Sequence, residues 1–210
     1  MLEYTLLAFV SLVTMVNPLS IVPVFNSMTG DLAADQVRRV ALRASITALI
    51  TLYFFAISGQ FVFQFFHISI HSFRLVGGVI FFIMGYEMLQ ARLSKTKHDD
   101  DKSTNQFIKD VAITPIGIPL ISGPGAITTV IVLMNQGQLF LEKLILVGVV
   151  FIIMLGTYIA LVSGNRILKM LGESGNKVLL RLMGLIEMVI AVEWFFSGLK
   201  PIIRDIWNIH

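Results

Sequence analysis

Three acids sit in stretches otherwise nearly free of charge: Glu87, Glu187 and Glu193. A carboxylate among apolar residues, with no Lys or Arg placed in the same layer, must be protonated, reach water or hold a cation. Each of those states can couple a proton or an ion to another event. Glu187 and Glu193 are six residues apart, so on a helix turning about 100° per residue they point roughly 120° from each other and do not face one cavity equally. Both are candidates for H⁺ or Na⁺ coupling, with Glu193 placed first; the alternative for each is a hydrogen-bonded packing role. Glu87 lies nearer a helix end, where interfacial water is in reach.

The second constellation is made of backbone. Asn17-Pro18-Leu19-Ser20-Ile21-Val22-Pro23 and Ile118-Pro119-Leu120-Ile121-Ser122-Gly123-Pro124 each place two prolines five apart in apolar surroundings. Proline inside a helix removes a hydrogen bond and collides with the carbonyl four residues back, which leaves polar backbone groups free. In hydrocarbon those groups must be satisfied by protein, water or a bound solute. Gly123-Pro124-Gly125 also permits φ values that other residues resist, so the chain is expected to unwind there. The candidate substrate-binding set is therefore Asn17, Pro18, Ser20, Pro23, Pro119, Ser122, Gly123, Pro124, Gly125 and Thr128, with Thr129 beside it. The plainer alternative is simple kinks and close-packing glycines.

Other chemistry is missing. There is no Cys, no His-Glu-x-x-His and no Gly-x4-Gly-Lys-Ser/Thr, which argues against an intramembrane hydrolase and against direct ATP use. His67 and His71 lack a third ligand nearby in sequence, so no metal and no other cofactor is expected. The basic residues are scattered over short loops, which does not suit nucleic acid.

The elements that must hold these residues follow from hydropathy. Of 210 residues, 56% are hydrophobic and 14% charged, with a mean hydropathy of +0.83; about 25% charge is usual for soluble domains. Runs near the roughly 20 residues needed to cross a bilayer predict six helices, near 4–26, 42–64, 73–91, 111–133, 144–165 and 179–199. The first is read as a retained span because no basic n-region or cleavage site marks a signal peptide. Lys and Arg divide 12 to 4 between the two sets of connections, which places the 12 in the cytoplasm and both termini outside. Gly78 and Gly85 mark a close helix contact, and Trp194 and Trp207 suit the outer interface.

The halves repeat. Arg74-Leu75-Val76-Gly77 opens the third helix as Arg181-Leu182-Met183-Gly184 opens the sixth, 51 and 57 residues after Pro23 and Pro124. Three helices per half turn the second copy upside down. The expectation is an all-α membrane protein, one transmembrane domain over 1–210, with repeats at about 1–91 and 111–200 joined by a cytoplasmic linker at 92–110. Helices one and four are expected to break at the midplane, a pattern shared with secondary transporters.

Taken together, Asn17-Pro18 with Pro23, the run Ile118 to Ile127, Ser72-Phe73-Arg74 with Gly77-Gly78, Leu171-Gly172-Glu173 and Arg181-Leu182-Met183-Gly184 resemble the MarC family over nearly the whole chain. The helix-four run is the most specific part, and Ser20 stands where relatives often have Gly. The resemblance implies a multi-pass inner-membrane protein. It also implies, through SnatA-type members, a secondary transporter or exporter of a small solute, foremost a neutral amino acid. The partners expected are the lipid bilayer and that solute, with a homo-oligomer allowed. The competing reading is a non-transporting membrane regulator or scaffold, which would show no flux in sealed vesicles.

Overall fold

A computed structural model describes residues 1–30, 32–90 and 104–207. Among them the chain is helical from end to end: α1 Leu2–Val16, α2 Pro18–Thr29, α3 Ala34–Phe65, α4 Ile70–Leu89, α5 Thr104–Val111, a wide-turn π-helical segment Ala112–Ile121, α6 Pro124–Gln136 and α7 Phe140–Trp207. The expected linker at 92–103 lies outside the described residues, and 104–110 belongs to α5.

α3 shows why these helices need a bilayer. Ala41, Ala44, Ala48, Leu52, Ala56, Gly59 and Phe63 are buried at helical spacing. On the opposite face Ile50, Phe54, Ile57, Phe61 and Phe65 are exposed, Ile57 by 80%. A helix that is apolar all round finds its second solvent in lipid. Small residues inward and large ones outward let backbones approach where no water is present to drive association.

Four helices are long and apolar enough to span: Leu2–Thr29, Ala34–Phe65, Ile70–Leu89 and Phe140–Gly164; a fifth arises if Ile108–Ile121 and Pro124–Gln136, bent by 59°, count as one. The sixth expected span, 179–199, is helical as the last part of α7. It is not among the candidate spans found in the described residues. The fifth and sixth expected helices form one element, interrupted at Gly172, whose φ of 69° and ψ of −179° redirect the chain. Glycine adopts that backbone without steric cost.

Two of the expected breaks take unexpected forms. α1 ends at Asn17, left-handed at φ 43° and ψ 64°, a conformation that Asn tolerates better than most residues. Pro18 then occupies the first turn of α2, where its missing N–H is no loss. Pro23, by contrast, lies buried inside α2 and does not break it. In the second half, Thr114 and Ile118, each preceding a proline, leave helical φ/ψ, as residues before proline are biased to do. The main bend comes at Ser122–Gly123, after which Pro124 begins α6. Gly123 has φ −68° and Gly125 is helical. The expectation that Gly-Pro-Gly supplies unusual φ values is therefore overturned; these glycines serve close contact instead.

Element boundaries recur at one offset. Pro18 and Pro124 each start a helix, 106 residues apart (18 to 124). Ala34 and Phe140 start the next pair, again 106 apart (34 to 140). Phe66, which caps α3, and Gly172, which interrupts α7, are also 106 apart (66 to 172). The register differs from the expected one: Pro18 rather than Pro23 matches Pro124, and at an offset of 106 Gly184 falls on Gly78 rather than Gly77, so the runs opened by Arg74 and Arg181 are one residue out of step.

The tightest packing joins α4 to the end of α7, in antiparallel directions. A Cβ at Gly78 would lie 2.8 Å from the Ala191 carbonyl oxygen and 2.8 Å from the Phe195 nitrogen. A Cβ at Gly184 would lie 2.6 Å from the Gly85 oxygen and 2.7 Å from the Leu89 nitrogen. Farther along, one at Gly198 would lie 2.5 Å from the His71 oxygen. The expected close contact at Gly78 and Gly85 is thus present, with α7 as its partner.

Candidate functional site

The break at Asn17 opens a cavity between α1, α2, α4 and α7. Its volume is about 90 Å³, and its lining includes Met15, Asn17, Ser20, Phe81, Met88, Leu120, Glu187 and Trp194. A water needs roughly 10–15 Å³ of such volume, whereas drug-sized ligands occupy about 300–1,000 Å³ pockets. The space suits a few waters or one small solute.

The polar groups come from one side of the break. The left-handed turn brings the Asn17 side chain back over α2, where its Nδ2 donates to Ser20 Oγ at 2.5 Å. Ser20 Oγ in turn donates to Met183 Sδ at 3.7 Å. The Ser20 backbone N–H donates to the Asn17 carbonyl at 3.0 Å. The Asn17 amide oxygen has no hydrogen-bond partner among the described residues, and Asn17 lines the same cavity as Glu187. Among the described residues Glu187 has no hydrogen-bond or ion-pair partner. A carboxylate, an amide and a hydroxyl around a small, mostly apolar space can recognise an ammonium or a small cation while the walls hold a short apolar group.

The other expected site residues lie elsewhere. Ser122 is fully buried, and both its Oγ and its N–H donate to the Gly117 carbonyl, at 2.8 and 3.1 Å. Thr128 Oγ1 donates to the Pro124 carbonyl at 2.8 Å, closed upon its own helix; Thr129 is half-buried. Pro18, Pro23, Pro119, Gly123, Pro124 and Gly125 are not among the lining residues either. Pro124 packs on Gly77, and Gly125 lies against the Trp194 ring. Glu193, first choice among the coupling acids, is exposed on α7 outside the cavity; Glu187 is the acid at the site. Glu87 is exposed as well.

Trp194 was expected at the membrane interface, yet it lines the cavity beside Phe81, with ring centroids 6.3 Å apart. Phe81, Met88 and Met15 are lining residues that sequence reasoning passed over. Phe81 and Met88 are seven apart on α4, the spacing of Gly78 and Gly85, and that shared periodicity is the signal that points them inward.

Residues 2–203 match the family described as MarC family integral membrane protein. A UPF0056 membrane protein of Pyrococcus abyssi is 41% identical over 192 residues, covering 91% of this chain and 92% of the relative. A UPF0056 membrane protein of Bacillus subtilis is 32% identical over 203 residues, covering 95% and 96%. One of Escherichia coli is 30% identical over 206 residues, covering 95% and 94%. No solved structure matches the chain. With a multi-spanning helical body, an apolar outer surface and a family match over nearly its full length, the chain belongs to the MarC family of integral membrane proteins.

Proposed function

We propose that the protein is a secondary transporter of a small solute, foremost a neutral amino acid, in the plasma membrane with both termini outside. It acts as a carrier rather than an enzyme. The observation that carries the reading is the cavity at the Asn17 break, which an unpaired Glu187 lines together with Asn17 and Ser20. Glu187 holds the solute ammonium or a coupling H⁺ or Na⁺, and the small volume limits the side chain.

The 106-residue recurrence supports a carrier built from two inverted three-helix halves, six spans in all. Adding 106 turns Gly78 into Gly184, Gly85 into Ala191 and Leu89 into Phe195. The contacts of Gly78 with Ala191 and Phe195 thereby become those of Gly184 with Gly85 and Leu89. Contacts that exchange in this way, between antiparallel counterparts, support a two-fold axis lying in the membrane plane. Two such halves give inward-open and outward-open arrangements of similar energy.

The test is uptake by purified protein in sealed vesicles, over labelled glycine, alanine and serine, with and without Na⁺ and pH gradients. Gradient-dependent accumulation of at least one solute is expected. No flux under any gradient would leave a non-transporting regulator or scaffold as the better reading.

A further inference from the structure

The two helix breaks are covered by unlike groups at equivalent places. An offset of 106 relates Asn17 to Gly123, Phe81 to Glu187 and Met88 to Trp194. At the first break Asn17 and Glu187 line open volume. At the second, the Phe81 ring lies against Gly123, where an added Cβ would stand 2.8 Å from its Cε1. The Trp194 ring lies against Gly125, where a Cβ would stand 2.6 Å from its Cη2. The two rings are tilted by 31°. Both also line the cavity, so they form a wall one ring thick between the cavity and the second break.

Glycine at 123 and 125 lets the rings lie flush on backbone; any side chain there would push them into the cavity. The wall is not tied down by polar contacts. Among the described residues the Trp194 indole N–H has no hydrogen-bond partner, and a phenyl ring has none to make. Moving such rings breaks packing contacts but no hydrogen bond.

We propose that Phe81 and Trp194 are a two-ring gate whose movement joins the Ser122–Gly123 backbone to the solute cavity. Closed, the gate limits the cavity to a small solute; open, it exposes the second break as a further contact for that solute. The assignment of a solute rests on the transporter reading, whereas the gate itself is read without flux.

The chain has no cysteine, so one introduced thiol is the sole target of a methanethiosulfonate reagent. Ser122→Cys is nearly isosteric and reports the space behind the rings. In purified protein its labelling should be slow, at least tenfold faster after Phe81→Ala, and near the parent rate after Phe81→Tyr. Thr157→Cys, at a position equally buried but not among the cavity-lining residues, should not respond to Phe81→Ala. If it does respond, the milder Phe81→Leu is judged by the same comparison. Ser122→Cys labelling unchanged by both Phe81→Ala and Phe81→Leu would overturn the gate. Ring-dependent labelling without any flux sinks only the transporter reading; flux with ring-independent labelling sinks only the gate.

Discussion

Adding one methyl group at Gly184 forces two backbones apart. The new Cβ would stand 2.6 Å from the Gly85 oxygen and 2.7 Å from the Leu89 nitrogen, where ordinary contact begins at 3.4 Å. Neither neighbour is the end of a flexible side chain, so α4 and α7 must separate locally by about 0.8 Å, the shortfall from ordinary contact. A radial gap of about 0.5–1 Å forfeits roughly a quarter to a half of each contact's attraction, and overpacking typically costs about 1–3 kcal/mol. Gly184→Ala is therefore expected to destabilise by about 2 kcal/mol, or about 4–8 °C in Tm for a chain of this size. Under the proposed two-fold relation Gly78→Ala meets the corresponding atoms, the Ala191 oxygen and the Phe195 nitrogen, each at 2.8 Å, and should cost a similar amount, about 1–3 kcal/mol. Gly156→Ala is the control, because a Cβ there meets nothing within 4 Å; it should be neutral or gain up to about 1 kcal/mol from helix propensity. The assay is thermal unfolding of purified variants in one detergent. Gly184→Ala as stable as Gly156→Ala would refute the seam. Gly184→Ala destabilised by about 2 kcal/mol with Gly78→Ala neutral would refute the proposed two-fold relation.

Three further outcomes are expected. Glu187→Gln should weaken solute affinity, read from the concentration dependence of thermal stabilisation, about tenfold or more, since hydrogen bonds to charged groups contribute about 1.5–3 kcal/mol, whereas Glu193→Gln should leave the ligand shift at the parent value. Asn17→Val should cost about 2 kcal/mol in thermal unfolding because a β-branched residue resists the left-handed turn, and Asn17→Gly should cost less than half of that. A reporter active only in the cytoplasm should be silent when fused after His210, and a strong signal from correctly inserted protein would reverse the orientation.

Helix positions were legible because a bilayer imposes one length and one composition on whatever crosses it. The start of α3 at Ala34 rather than near residue 42 was not, because Asp35, Arg38, Arg39 and Arg43 lower the hydropathy of turns that are still helical; Arg39 pairs with Asp35. The expected repeat took its register from Pro23. A proline within a helix and a proline starting one look alike as letters, and only the backbone shows that Pro18 and Pro124 do the same job. At the site, Asn17, Ser20 and Glu187 could be named because polar groups in an apolar run are conspicuous. Phe81, Met88 and Trp194 were passed over, since an apolar side chain lining a cavity and one facing lipid have the same hydropathy; for Phe81 and Met88 only the spacing shared with Gly78 and Gly85 tells the two apart. Ser122 and Thr128 were misjudged because a hydroxyl can turn back upon its own backbone.

The length of α3 has a consequence for the bilayer itself. Its 32 residues make a rod of about 48 Å at roughly 1.5 Å per residue, against a hydrocarbon layer of about 30 Å. Even at a steep tilt of about 40° the layer takes up only about 39 Å of rod, so about six residues remain beyond it. At the N-terminal end those residues are the turn holding Asp35, Arg38 and Arg39, with Arg43 one turn below. Guanidinium groups at that depth meet lipid phosphates and set how deeply the rod sits. Membrane thickness and headgroup charge thereby act as a lever on α3, and a thinner or more anionic bilayer draws it toward a steeper slant.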